Sequence, residues 1–282
     1  MRGRTFLLTF ILFSSLISPV IAGDVVTTEN TAISGNHTMT GNYTVSHGTT
    51  LELKPGATID MGSYWMKVEG TLLANNATIM SSEQSVGLGG HNAGVWDAIT
   101  VVSTADAILD NVTISNAKSC LIIDGALTAT NLNLEHCLIG IEVAGTADID
   151  GLTASHIDHD GVRITGTAGL SEISMTNMGA GISSSGALTL SSASFDSIGT
   201  AVSLGSGSAD VDDLTFTSGI STGVSIASGV TGDVSGMSGN VGTAIAAIDA
   251  TGFTISDINL TGSRLVNSWS AGDLTLTNVI FD

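Results

Sequence analysis

Residues 140–184 read GIEVAGTADIDGLTASHIDHDGVRITGTAGLSEISMTNMGAGISS. A small residue followed by a β-branched apolar one recurs there, as Gly140-Ile141, Gly161-Val162 and Gly181-Ile182. Followed outward in both directions, the apolar member becomes a column: Ile99, Leu121, Ile141, Val162, Ile182, Val202, Val224, Ile245, Val266. A second column lies about 13 residues further on: Ile114, Leu134, Ala154, Met175, Phe195, Phe216, Met237, Ile258, Val279. A third, less regular column includes Leu127, Ile149, Leu170, Leu188, Val211, Phe253 and Leu274. Self-similarity at one fixed period of this size is the mark of a repeat architecture.

Around each anchor the local period is two, as in Ile141-Glu142-Val143 and Val162-Arg163-Ile164, so each anchor lies on a short strand with alternate residues inward. Glycine and Asn-rich corners separate the strands. Three short strands per coil of about 21 residues, always in the same order, predict a parallel β-solenoid whose strands pair one coil above and below. The position before the first anchor supports this. It reads Ala98, Cys120, Gly140, Gly161, Gly181, Ala201, Gly223, Ala244, Leu265, and seven of the nine are Gly or Ala, as a tight bend or close packing requires.

The chain has 282 residues, with Lys+Arg 7 against Asp+Glu 26 and a net charge of −19. That excess leaves nothing to neutralise phosphates and excludes nucleic acid as a partner. An anionic membrane surface is disfavoured for the same reason. Only 12% of residues are charged and 43% are apolar, so the chain folds, but around small side chains. A helical bundle would draw on Leu, Glu, Lys and Arg instead.

Residues 1–22 have the layout of a cleaved signal peptide: basic Met1–Arg4, apolar TFLLTFILFSSLI at 5–17, then small residues ending at Ala22. The apolar run is shorter than the roughly 20 residues that span a bilayer. Export to the extracellular space or cell surface is therefore expected, with no transmembrane segment after the signal. Residues 23–42 are expected to form an N-terminal cap or lead-in. Residues 43–282 are expected to form the β-helix, stopping inside a coil as a piece of a longer surface protein would. Five N-x-S/T sequons suit that compartment and are the glycosylation candidates: Asn36, Asn42, Asn76, Asn111 and Asn259.

The opening coils read TVSHGTTLELKPGATIDMG at 44–62, then WMKVEGTLLANNATIMSS at 65–82, and later Val95-Trp96-Asp97-Ala98-Ile99. These phrases resemble the recurrent opening rungs of right-handed parallel β-helix proteins of the pectate-lyase-like superfamily, closest to their secreted, cell-surface, non-catalytic branch. The resemblance covers about residues 33–282. It implies an all-β fold, a right-handed single-stranded parallel β-helix of about 21 residues and three short strands per coil. It says little about function, because one fold hosts many activities.

Candidate sites are few. A lyase of that superfamily would use a basic residue, yet Arg163 points outward one residue after Val162, in register with Glu142 one coil earlier, which predicts an ion pair between rungs. A hydrolase would need a carboxylate pair. The outward acids Asp124, Glu142, Asp148, Asp150, Asp158, Asp160, Asp210, Asp212 and Asp213 offer no pair with an aromatic beside it, and Trp65, Trp96 and Trp269 fall in distant coils. No catalytic residue is therefore assigned. One ladder, Asn116, His136, His156, Asn177, Ser197, stacks two histidines, and His136, His156 and Asp158 are the metal candidates, with a divalent cation as the sole cofactor considered. The competing reading is a polar corner ladder. Cys137 falls on an inward column and Cys120 on the small-residue column, about three residues out of register, so two buried free thiols are expected. The reading that emerges is an exported acidic β-helix acting as a structural, adhesive or binding module at the cell surface, with extracellular polymers as partners. The alternative is a carbohydrate-active or sugar-binding protein.

Overall fold

The computed structural model describes residues 23–83, 93–250, 252–269 and 274–282. The expected signal peptide lies outside these residues. Among them the secondary structure is all β, and every strand pairing is parallel. Among the described residues no helix is long and apolar enough to cross a membrane.

The first apolar column holds at every step. Val25, Tyr43, Met66, Ile99, Leu121, Ile141, Val162, Ile182, Val202, Val224, Ile245 and Val266 stand over one another, one per coil, making twelve coils. Residues 23–42 supply three strands of their own, Val25–Val26, Thr31–Ile33 and Asn36–Thr38, each paired in register with the coil above.

The second column holds from Ile114 through Leu134, Ala154, Met175 and Phe195 to Phe216, and then slips. The residue over Phe216 is Gly239, followed by Leu260 and Phe281, while Met237 stands over Leu214 and beneath Ile258. The error is two residues, and side chains of a strand share a face every two, so Met237 and Ile258 keep the inward alternation although the residue over Phe216 is the exposed Gly239. The third column merges two neighbouring inward columns. Leu127, Ala147, Ala168, Leu188 and Ala209 make one, and Ala129, Ile149, Leu170, Leu190 and Val211 the other.

The core is one continuous axial cluster, with Leu51, Ile59, Ile99, Leu121, Ile141, Phe195 and Val224 all buried. Phe195 and Phe216 stack with ring centroids 6.1 Å apart. The small-residue column is a packing requirement: a Cβ on Gly181 would lie 2.5 Å from the Ala201 carbonyl oxygen and 2.8 Å from the Phe195 ring. That distance explains why a bulky side chain is excluded beside the first anchor.

Corners rest on left-handed backbone. One ladder runs through Asn116, His136, His156, Asn177 and Ser197, with φ between 55° and 68°. Another, which the apolar columns did not reveal, runs through Asn76, Asn111, Asn131, Glu172, Ser192, Asp213, Asp257 and Asn278, with φ between 47° and 56°. Asn and Asp are the non-glycine residues that tolerate this region best.

The cysteines correct the sequence expectation. Cys120 and Cys137 form a disulfide across 17 residues, with Cα atoms 6.0 Å apart, and both residues are fully buried. Three residues of offset would be about 10 Å along a straight strand. Here they lie around the corner that begins at the left-handed Asn116, which folds the offset back into bridging range.

Candidate functional site

The predicted ion pair between rungs is present. Glu142 and Arg163 are in register, with Arg163 Nη1 3.5 Å from Glu142 Oε2. Arg163 is held more tightly by Asp160, which accepts from Nε at 2.8 Å and Nη2 at 2.6 Å. Ser183 Oγ donates to Asp160 at 3.0 Å, and Ser119 Oγ donates to Glu142 at 2.7 Å. Arg163 is thereby a stitch joining neighbouring rungs, with its guanidinium already engaged.

The histidine ladder stacks as its spacing requires. The His136 and His156 rings lie 5.0 Å apart, 15° from parallel. Asp158 is exposed. Among the described residues no group of three or more His, Cys, Asp or Glu side chains is arranged to hold a metal ion. The stacked pair sits at left-handed corner positions, between Asn116 below and Asn177 above.

Several outward carboxylates are tied to neighbouring hydroxyls, most of them one rung above. Ser171 donates to Asp150 at 2.6 Å, Thr130 to Asp110 at 2.6 Å, and Ser235 to Asp212. Asp196 accepts from Ser218 at 2.6 Å, Thr217 at 2.8 Å, and more weakly from Ser197 and Thr176. These donors, Ser218 first, hold its carboxyl below the usual range. At Asp60 partial burial pushes upward, but the Ser82 side chain and the backbone N–H groups of Ser82 and Gly62 outweigh it, and the net shift is again downward. Both acids are held in the ionised form, the opposite of what a general acid needs.

One groove stands apart from this regular surface. It encloses about 490 Å³ and is lined by Trp65, Lys67, Asp97, Ala98, Thr100, Lys118, Ser119 and Ile122. It spans three consecutive coils. Trp65 precedes Met66 on the lowest, Asp97 and Ala98 precede Ile99 on the next, and Lys118 and Ser119 lead into Leu121 on the third. The main chain fixes the three levels. Trp65 N–H donates to Asn42 Oδ1 at 3.3 Å, while the Trp65 carbonyl accepts from Tyr43 at 2.9 Å. Met66 donates to the Ala98 carbonyl at 3.0 Å, Lys118 to that of Trp96 at 2.8 Å, and Ser119 to that of Asp97 at 3.1 Å. Lys67 pairs with Glu69 at 2.7 Å, and Lys118 pairs with Asp97. The groove therefore combines a half-buried indole, two internally neutralised lysines and hydroxyls from Thr100 and Ser119.

Trp65 and Trp96 are on adjacent coils, not distant ones. Trp96 is fully buried and spends its indole N–H on the Ser115 carbonyl at 2.8 Å, so Trp65 is the aromatic that lines the groove. The coil from Met66 to Ile99 is widened to 33 residues. The equal-step reading that found the columns therefore had no means of bringing Trp65 beside Asp97.

Fold and groove together define a disulfide-bearing parallel β-solenoid with a shallow polar-aromatic cleft. No known family model matches the chain, and no curated protein matches it. Among solved structures it is similar to PfbA, a surface adhesin of Streptococcus pneumoniae, at 10% identity over 84% of this chain and 83% of that one, with a TM-score of 0.40. At that score the likeness bears on neither ligand nor activity.

Proposed function

We propose that the protein is exported and serves at the cell surface as a non-catalytic binding rod of the pectate-lyase-like β-helix type, holding a polyhydroxylated ligand such as a glycan against Trp65. The observation that carries the non-catalytic reading is the use of the acids. Outward carboxylates accept hydroxyl donors from the coil and its neighbours, and Asp196 and Asp60 are held ionised by them. The one carboxylate that lines the groove, Asp97, is ion-paired to Lys118. Hydrolysis of a glycosidic bond calls for two carboxyl groups across the bond, one of them protonated.

The groove supports sugar binding. An indole offers a flat apolar face for the C–H side of a pyranose ring, while the Thr100 hydroxyl stands beside it as a polar partner. The lysines are neutralised by Glu69 and Asp97, which suits an uncharged ligand. Export is supported by the leader pattern of residues 1–22 and by a fully buried disulfide, since disulfides persist in oxidising compartments. The test is a glycan array and a degradation screen on the purified chain and on Trp65→Ala. Binding by the wild type that falls at least tenfold in Trp65→Ala, without product release, is the expected result. Turnover of any polysaccharide would overturn the reading.

A further inference from the structure

The five sequons differ in how far the side-chain amide is already engaged, not in exposure alone, since Asn76 and Asn111 are exposed as Asn36 and Asn259 are. Asn76 and Asn111 occupy equivalent left-handed corner positions on adjacent coils, at φ 47° and 51°. Their amide nitrogens are donors within the stack: Asn111 Nδ2 donates to Asn76 Oδ1, and Asn76 Nδ2 to Asn75 Oδ1. Coils are spaced by about 4.8 Å, so a sugar on Asn111 Nδ2 would have to enter the gap that its contact with Asn76 fills, while one on Asn76 Nδ2 would displace its contact with Asn75 in the same coil. Asn42 is half-buried, and its Oδ1 accepts from the Trp65 N–H at 3.3 Å. By contrast, Asn36 lies at an exposed position of the strand Asn36–Thr38 in the lowest coil. Asn259 is exposed on the strand Phe253–Trp269, between Ser238 below and Ile280 above. Neither Asn36 nor Asn259 hydrogen-bonds through its side chain to a described residue, and the sequon hydroxyl residues Thr38 and Thr261 are exposed too.

We propose that Asn36 and Asn259 are N-glycan acceptors, and that Asn42, Asn76 and Asn111 are structural residues that carry no glycan in the folded protein. The donor class is an oligosaccharide on a lipid diphosphate. Asn Nδ2 attacks the anomeric carbon and the new C–N bond forms. The bond from that carbon to the diphosphate oxygen breaks, the lipid diphosphate leaves with the electron pair, and Nδ2 gives up one proton. At an outward strand position the product amide still points to solvent. At Asn111 it would displace Asn76 from the stack.

The proposal rests on the exported part of the functional reading, and the experiment separates the two. The full chain, preceded by a host secretion leader, is produced in a glycosylating eukaryotic cell, so its delivery does not depend on residues 1–22. Folded secreted protein is deglycosylated in heavy-oxygen water, which marks each former acceptor as Asp, and its peptides are weighed. Marks at Asn36 and Asn259 alone are expected. Mobility should drop one step in Asn36→Gln and one in Asn259→Gln, with melting unchanged. Asn111→Gln should leave the glycan pattern intact and lower the melting temperature. A mark at Asn42, Asn76 or Asn111 in folded protein, or none at Asn36 and Asn259, overturns the proposal. Export itself is read separately, from secretion of the chain with its own residues 1–22 and no added leader.

Discussion

The strands Thr146–Ile164, Thr167–Ser184 and Ala187–Leu204 repeat at an almost constant step, while Met66 and Ile99 are separated by the widest step between successive anchors. In the regular part, equivalent residues stand 20 or 21 positions apart, and outward polar groups such as Asp150 and Ser171 find partners one coil away. From Met66 to Ile99, 33 residues separate successive anchors. The groove forms there, lined by an indole, lysines and hydroxyls. Polar side chains are paired within the protein in both regions, and what the groove adds is the half-buried indole of Trp65 beside them.

The largest effect that could break this contrast comes from exchanging its terms. Phe195→Ala removes a fully buried ring from the stack with Phe216 and should cost about 3–5 kcal/mol. Trp65→Ala, at a half-buried groove position, should cost far less stability while lowering glycan binding at least tenfold. Chemical denaturation of both variants beside the array measurement checks this. Equal destabilisation by the two would mean that Trp65 is core, and the groove only a surface irregularity.

The disulfide sharpens the comparison at the next magnitude. It joins Cys120, directly after the groove residues Lys118 and Ser119, to Cys137 of the coil above. By loop closure a 17-residue ring is worth roughly 3 kcal/mol. Solenoid stability is carried largely by neighbouring repeats, so Cys120→Ala/Cys137→Ala should raise hydrogen exchange first near residues 117–141 and leave 167–204 almost unchanged. Uniform loosening along the rod would show that the bridge is not a local clamp.

What the sequence revealed follows from the same geometry. The anchor column from Ile99 to Val266 was legible because each coil offers one sharply bounded strand after a small residue. The slip at Met237 was invisible because a shift of two residues preserves the inward face, and only pairing distinguishes Met237 from Gly239 over Phe216. The disulfide was missed because linear offset overstates distance around a corner. The groove was missed because Trp65 and Asp97 meet only through the widened coil, where equal steps fail. The left-handed ladder through Asn111, Asn131 and Asp257 did leave a signal, an Asn or Asp directly before an inward apolar residue, as in Asn111-Val112, Asn131-Leu132 and Asp257-Ile258.

A smaller effect, of opposite sign, lies inside the regular region. Ser184 replaces an aliphatic residue in the inward column between Ile164 and Leu204, and its hydroxyl is buried without a hydrogen-bond partner. A buried polar group left unpaired costs about 1–3 kcal/mol. Ser184→Ala should therefore stabilise the rod by roughly 1 kcal/mol, read as a higher denaturation midpoint at constant slope. A loss of stability would mean that the hydroxyl has found a partner.

The smallest expected effect tests whether the outward acids are structural. Asp196 is held below the ordinary carboxylate range by Ser218, Thr217, Ser197 and Thr176. A group whose folded value is depressed stabilises the native state fully above its unfolded value, about 3.9 for Asp, and loses that contribution as pH falls through the folded value. Wild-type stability should accordingly decline on acidification below about pH 4, and Asp196→Asn should flatten that decline while lowering stability slightly at pH 7. Asp150→Ala, which removes the acceptor for Ser171 on the adjacent coil, should lower stability slightly at pH 7 and provides a second reading at an exposed site. Because Asp196 is only partly buried, the change should be modest and shrink with salt. An acid limb unaltered by Asp196→Asn, with Asp150→Ala as stable as the wild type, would detach these carboxylates from the stability of the rod, and with it the inference that they serve the scaffold and not a reaction.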